Sequence, residues 1–262
     1  MAKKLQNSDI IEISESAHVS MDNQWYDISP IDHFWIKWRF QAVIRNPLVK
    51  VLSEMRLLEI GCGHGIVMRQ FESLPNVTVD GCDLNPNALT KVSKGKGDIF
   101  LLNIFDEPPQ LLGKYSGIIL FDVLEHLEDD DAFLRTACKY LQNEGLVMIN
   151  VPAFNTLFSK YDSKMGHLRR YKKQGLQKLF RDNNIEVVSI RYWGFSLWPI
   201  VFIRKFILMF TKDEKIVETG FKLPGKLTNL FFNALMKLEL LLCRNPPAGS
   251  SLMAVGKYTV IK

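Results

Sequence analysis

Short apolar runs alternate with amphipathic stretches through the middle of the chain. Leu57-Leu58-Glu59-Ile60, Val77-Thr78-Val79, the run near 98–103, the run at 117–121 and Leu146-Val147-Met148-Ile149-Asn150-Val151 are rich in strand-favouring residues and too short for buried helices. Between them, residues 65–74, 86–93 and 131–141 carry helical patterning; Asn85-Pro86 and Asp129 are start signals, and Pro152 ends the fifth run. Near-continuous apolar strands separated by helices predict a parallel sheet covered on both faces. Lys172 to Asn184 predicts a further helix, Ile185 to Tyr192 a sixth strand and Leu252 to Val260 a seventh.

Both flanks of this pattern differ from it. The first 22 or so residues mix polar and isolated apolar groups and are expected to order only where they pack over the rest. From Trp25 to Ile44 the chain is aromatic and amphipathic; helical spacing puts Phe34, Trp38 and Gln41 on one side, with Trp35 and Arg39 offset from them. A long insertion, Gly194 to Ser251, separates the last two strands. Its apolar stretches 195–203 and 206–210 are interrupted by Arg204-Lys205, so each falls well short of the ~20 residues that cross a bilayer. Leu227 to Leu242 predicts an amphipathic or buried helix. The expected organisation is an N-terminal segment and helical cover over 1–48, a core over 49–193 and 252–262, and a hydrophobic helical insertion or substrate cap over 194–251.

The candidate chemistry starts at Leu57-Leu58-Glu59-Ile60-Gly61-Cys62-Gly63-His64-Gly65, an apolar strand running into closely spaced glycines. Glycine removes the Cβ obstruction, permits a sharp strand-to-helix turn and lets backbone approach a ligand, while the helix that follows presents unpaired donors. The second strand ends in Asp83, whose carboxylate can accept two ribose hydroxyls. Strand, glycine turn, helix, strand and terminal acid describe one half of a doubly wound α/β sheet, with a nucleotide-like ligand above the carboxyl ends of its strands. The spacing is Gly-x-Gly-x-Gly and departs from the dinucleotide fingerprint Gly-x-Gly-x-x-Gly.

With Glu59, Gly61, Gly63, Gly65 and Asp83 in these positions, the chain resembles the class I S-adenosylmethionine-dependent methyltransferases, and the likeness continues through Ile119-Leu120-Phe121-Asp122-Val123-Leu124-Glu125-His126-Leu127. Within that family it is similar to a bacterial branch of methyltransferase 11/12 type. The resemblance implies a Rossmann-like seven-stranded sheet of order 3-2-1-4-5-7-6 with the last strand antiparallel. It implies S-adenosyl-L-methionine as cofactor and S-adenosyl-L-homocysteine as product, with Asp83 on the ribose, the glycine loop on the methionine part and Glu59 orienting that loop or the cofactor amino group. Cys62 and Leu84 join this set as neighbours of the loop and the acid, small-apolar packing being the competing role of Cys62. Asp98, or else Asn103, is expected near adenine, Phe121 against the cofactor, and Asp122 in positioning the loop or cofactor.

Two constellations could act on the acceptor. His126, after the fourth strand, is a candidate base because an imidazole titrates near neutrality, with loop organisation as its alternative. The segment Tyr161 to Tyr171 is polar for its location: His167 could deprotonate an acceptor, Arg169 or Arg170 could hold an anionic group, and Tyr161 or Tyr171 could orient a ring or hydroxyl. The resemblance makes Trp35 and Arg39 candidates for a cap or substrate entrance. Glu125-His126 also resembles an element of quinone-related methyltransferases, some of which use a divalent metal; no complete ligand set can be placed on the sequence, and no metal is expected.

Composition narrows the acceptor only a little. The chain has 262 residues, enough for one substantial core, and its formal charge of +5 with 47% hydrophobic residues does not mark a nucleic-acid enzyme. Clusters such as Lys3-Lys4, Arg169-Arg170 and Arg204-Lys205 leave an anionic surface or substrate open. There is no zinc module or basic face interleaved with stacking residues, which disfavours nucleic-acid methylation. Cys62, Cys82, Cys138 and Cys243 lack close pairing or metal-binding cadence. The N-terminus shows no signal-peptide core, so the expected location is cytoplasmic, with peripheral attachment at the inner face of the membrane left open. The expected activity is methyl transfer to a small hydrophobic or lipid-linked acceptor by a monomer or homodimer. The alternatives are quinone or natural-product O-methylation, and a non-catalytic cofactor-binding assembly protein.

Overall fold

The computed structural model describes residues 3–4, 9–17, 33–50, 54–93, 95–221 and 225–260. These form one mixed sheet of nine strands: β1 (Lys3–Lys4), β2 (Ile10–Glu12), β3 (Met55–Ile60), β4 (Val77–Asp83), β5 (Ile99–Leu101), β6 (Tyr115–Phe121), β7 (Leu141–Pro152), β8 (Ile185–Trp193) and β9 (Ser251–Tyr258). Their spatial order is β1-β2-β5-β4-β3-β6-β7-β9-β8. β3 to β9 are the seven strands read from the sequence, in the order 3-2-1-4-5-7-6, and β9 runs antiparallel to both its neighbours.

The helices are α1 (Phe34–Ile44), α2 (Pro47–Lys50), α3 (Ile66–Glu72), α4 (Pro86–Leu89), α5 (Asp130–Cys138), α6 (Lys160–Lys164), α7 (Lys173–Asp182), α8 (Trp198–Met209), α9 (Ile216–Phe221) and α10 (Lys226–Leu242). The start signals act as expected. The Asn85 side chain accepts from the backbone N–H groups of Asn87 and Ala88, and Asp129 accepts from that of Ala132. Successive side chains of a strand point to opposite faces, so Leu58 joins one buried cluster and Leu57 the other. The doubly apolar strands are thereby explained: each face has its own layer of helices.

The N-terminal residues depart from the sequence reading. Residues 10–12 add a parallel strand to the open edge of β5, with Ile10 opposite Ile99, and residues 3–4 turn back on them. The backbone of β5 offers unpaired groups at that edge, and Ile10 gains burial by covering it. The stretch from Trp25 to residue 32 lies outside the described residues.

Within the insertion, α10 packs on α1 through stacked Phe34 and Phe232 rings 4.7 Å apart and a 2.9 Å hydrogen bond from Trp38 Nε1 to Asn233 Oδ1. Buried Glu239 latches the turn before α8, accepting from the backbone N–H groups of Gly194, Phe195 and Ser196 at 2.8, 3.1 and 2.8 Å. Arg204 and Lys205 do not break the outer apolar surface of α8. Arg204 turns inward over the Tyr161 ring and donates to Gly220 O, and Lys205 reaches Thr156 O. No helix among the described residues is long and apolar enough to cross a membrane.

Candidate functional site

A cleft of about 420 Å³ opens over the carboxyl ends of β3, β4, β5 and β6, a size suited to a cofactor or small ligand. The glycine turn makes its floor. Gly61, Gly63 and Gly65 all have positive φ. A Cβ on Gly61 would lie 2.7 Å from Val123 Cγ2, so this turn requires glycine both for its backbone angle and for its packing against the loop after β6. Asp83 holds the turn by accepting from Gly63 N and Asn85 N, each at 2.8 Å. Burial raises the Asp83 pKa, and the backbone donors of Asn85, Gly63 and Leu84 oppose that rise.

Glu59 is almost wholly buried at the cleft wall, and its Oε2 has no hydrogen-bond partner among the described residues. Burial pushes its pKa up to about 8, moderated by the charge of Arg39. A buried carboxyl oxygen without a donor, facing a cleft of this size, suits a ligand that carries a cationic group.

The roof is α1. Arg39 lines the cleft, pairs with Asp122, and lies 5.3 Å from the Phe121 ring centroid. Behind it Trp35 stacks on the guanidinium at 5.0 Å and meets Trp193 at 5.6 Å. Asp122, left-handed at the end of β6, accepts from Asn150 at 2.7 Å, and Asn150 accepts from Trp193 Nε1 at 2.9 Å. This chain of contacts ties the cover to three strands of the sheet.

Cys62, Leu84, Asn103 and His126 also line the cleft, whereas Gly65 serves the turn from behind. Asp98 does not reach it. It pairs with Arg56 at 2.9 Å at the amino end of β5, and since β5 runs parallel to β4 only its other end, at Leu102-Asn103-Ile104, faces the cleft. Val123, Leu127 and Phe133 line the cleft without having been singled out in sequence; they are apolar residues in a patterned stretch, with nothing to distinguish them from core.

The segment after β7 is committed to internal contacts. Tyr161 lies under Arg204, Arg169 donates to the carbonyls of Leu127 and Glu128, and Tyr171 donates toward Leu124 O and Asp130. Arg170 is buried against Asp162, at 2.7 Å. None of these four side chains lines the cleft, in contrast to the substrate-binding expectation. Their polarity is used to fasten this segment beneath the loop after β6. The buried Asp162 accepts from His167 Nδ1 at 3.0 Å; burial favours its protonation, yet the His167 hydrogen bond and Arg170 hold it well below the usual carboxylate range. His167 stands edge-on to His126, ring centroids 4.8 Å apart. Burial, with repulsion from His167, lowers the His126 pKa to about 3, so this imidazole is a poor proton acceptor by itself, against its reading as a base.

The methyltransferase domain family matches residues 35–190, which include the glycine turn, Asp83 and the loop after β6. The chain belongs to that family. No curated protein matches the chain in sequence. Among solved structures, a chain of the complex between the Haloferax volcanii Trm112 methyltransferase activator and a methyltransferase is 15% identical with a TM-score of 0.58, over 88% of this chain and 92% of that one. An S-adenosylmethionine-dependent methyltransferase from Archaeoglobus fulgidus is 14% identical with a TM-score of 0.54, covering 85% and 93%. Haemonchus contortus phosphoethanolamine N-methyltransferase 2, in complex with S-adenosyl-L-methionine, is 14% identical with a TM-score of 0.55, covering 86% of this chain and 53% of that one. The fold is the one shared with S-adenosylmethionine-dependent methyltransferases of known structure.

Proposed function

We propose that the enzyme methylates a small hydrophobic or lipid-linked acceptor at the surface of a membrane, as a member of the methyltransferase 11/12-like branch. The observation that carries this reading is the outer surface of the insertion. Of the 20 exposed large apolar side chains among the described residues, 14 fall between Phe195 and Leu242, far more than an insertion that merely caps a core needs to expose. Phe202, Ile203, Phe206, Ile207 and Phe210 project from α8 and its end, and Leu227, Leu230, Phe231, Leu238, Leu241 and Leu242 form a stripe along α10. Cations flank it. Arg45, Arg191 and Arg244 line one hollow beside the end of α10, and burial, with the charges of the other two, lowers the Arg45 pKa. An apolar face with an arginine cluster at its rim suits an interface with anionic lipid headgroups. α10 packs on α1, and α1 roofs the cleft through Arg39, so the apolar face adjoins the cover of the cleft.

S-Adenosyl-L-methionine, when bound, supplies a methyl group already activated on a sulfonium. In this reading Asp83 accepts the ribose hydroxyls on the lone pairs that the backbone of Gly63 and Asn85 leaves over, Glu59 receives the amino group, and the glycine turn admits the methionine part. Phe121 and Leu84 pack the nucleoside side, with Asn103 at the adenine end. Arg39 and Trp35 close the roof, and the apolar wall excludes water that would compete for the methyl. The enzyme thus contributes chiefly alignment.

The test is to incubate purified protein with methyl-labelled S-adenosyl-L-methionine and the lipid and aqueous fractions of a cell extract, and to identify labelled products by mass spectrometry. Label entering an organic-soluble molecule is the expected result. Label confined to water-soluble products overturns the acceptor class and leaves the cofactor assignment intact.

A further inference from the structure

Glu125, His126 and His167 present one donor atom each, and these atoms all lie within 4.8 Å of one another. Glu125 and His126 share a single short turn, Leu124–His126, where the chain leaves β6. His167 arrives from the loop after α6, whose carbonyl and amide groups are pinned to that turn: Leu168 N donates to Glu125 O at 2.7 Å. Ions such as zinc hold nitrogen and oxygen donors at ~2.0–2.2 Å, which puts the donors of one ion ~3.4 Å apart. His167 Nε2 and Glu125 Oε1 are already 3.9 Å apart, so small side-chain rotations complete the set.

Two features mark this as a built site. Glu125 is fully buried, and neither carboxyl oxygen accepts a hydrogen bond from another described residue. Burial raises the Glu125 pKa well above the ordinary carboxylate range, so the group holds its proton until a cation displaces it. In addition, His167 is oriented from behind. Its Nδ1 lies 3.0 Å from Asp162, Asp162 is fixed in turn by Arg170 at 2.7 Å and by Ser159 N at 2.8 Å, and this contact turns Nε2 toward Glu125. His167 Nε2 and Glu125 Oε1, 3.9 Å apart, leave room for a cation that both would meet. A carboxylate behind an imidazole is the usual support of a metal-bound histidine.

We propose that Glu125, His126 and His167 bind one divalent cation of the borderline class, such as Zn²⁺, Mn²⁺ or Fe²⁺, at the edge of the methyl-transfer cleft. Two imidazoles and one carboxylate select such ions over Mg²⁺, which prefers oxygen donors throughout. His126 lines the cleft, so the open coordination positions face the space where an acceptor sits, and an acceptor oxygen is the ligand they would take. Asp122, although nearby, is engaged by Arg39 and Asn150 and is outside the set. Nothing local joins His167 to Glu125-His126, 41 residues apart at the nearest; the fold brings them together.

The site is read directly, without turnover, so its failure is distinct from failure of the acceptor assignment. Chelator-treated full-length protein is titrated with Co²⁺ followed by its visible absorption, and with Zn²⁺ by calorimetry. Saturation at one ion per chain, with bands showing imidazole ligation, is the expected result. Glu125→Gln and His167→Gln should each weaken binding at least ~100-fold, and Asp162→Asn ~10- to 100-fold, as loss of a supporting carboxylate does. S-Adenosyl-L-homocysteine binding by the same samples reports that they are folded. If a variant fails to fold, pulsed paramagnetic resonance of wild-type protein loaded with Cu²⁺ counts the coordinated imidazoles. Absence of saturable binding up to about 1 mM, an ion without imidazole ligands, or binding unchanged in folded Glu125→Gln and His167→Gln overturns the proposal.

Discussion

Replacing Glu59 by glutamine keeps the shape of the side chain and removes its titration. In the folded chain burial holds the Glu59 pKa at about 8, against 4.5 when unperturbed. The folded state therefore binds this proton more tightly than the unfolded state, and the contribution to stability is present at low pH and lost as pH rises through 8. Between about pH 6.5 and pH 8.5 the linkage relation gives a loss of ~2 kcal/mol from this group. For a chain of this size that corresponds to a fall of ~4–8 °C in melting temperature. Glu59→Gln should lack this component, so melting curves of the ligand-free proteins, superposed at the lower pH, should separate at the higher one with the variant more stable. The same substitution removes the carboxylate proposed to meet the cofactor amino group, and should weaken S-adenosyl-L-homocysteine binding by calorimetry ~10- to 100-fold, the worth of a charged hydrogen bond. A variant that follows the wild-type pH profile refutes the burial argument, and one that binds the product as tightly as wild type refutes the assigned role.

Three further outcomes follow from the packing. Gly61→Ala puts a Cβ within 2.7 Å of Val123 Cγ2 at a residue with φ of +77°, so a loss of ~1–3 kcal/mol in chemical denaturation and a marked loss of cofactor affinity are expected; unchanged affinity would contradict the close fit of the turn. Ile203→Asp combined with Phe206→Asp, both on the outward side of α8, should abolish co-sedimentation with anionic vesicles while S-adenosyl-L-homocysteine binding is retained; persistent vesicle binding would remove the membrane surface from consideration. Glu239→Ala strips the turn before α8 of its acceptor, leaving backbone donors orphaned at a cost of ~3 kcal/mol. Limited proteolysis should then cut between 194 and 251 sooner than in wild type, and equal cleavage rates would show that the latch is dispensable.

Local information carried much of this protein. The alternation of doubly apolar strands with capped helices, the glycines that tolerate positive φ, and the acid that ends β4 are consequences of side-chain chemistry over a few residues, and they specified the parallel sheet and the cleft end of β3 and β4. Asp83 and Glu59 meet at one cleft for that reason, whereas Arg39, on a helix outside the pattern, is expected there only from the family resemblance. What needed the folded chain were matters of direction and of distant partnership. Asp98 and Asn103 are close neighbours in sequence, yet strand polarity sends one to an ion pair with Arg56 and the other to the cleft. Arg204 and Lys205 look like a break in an apolar run until helical rotation turns them inward and leaves the outer face of α8 continuous. His167 joins Glu125 and His126 because the segment after β7 folds back under the loop after β6, held by Asp162 and Arg170. Periodicity reports which residues share a face; only the closed backbone decides which face meets which, since that depends on contacts summed over the whole chain.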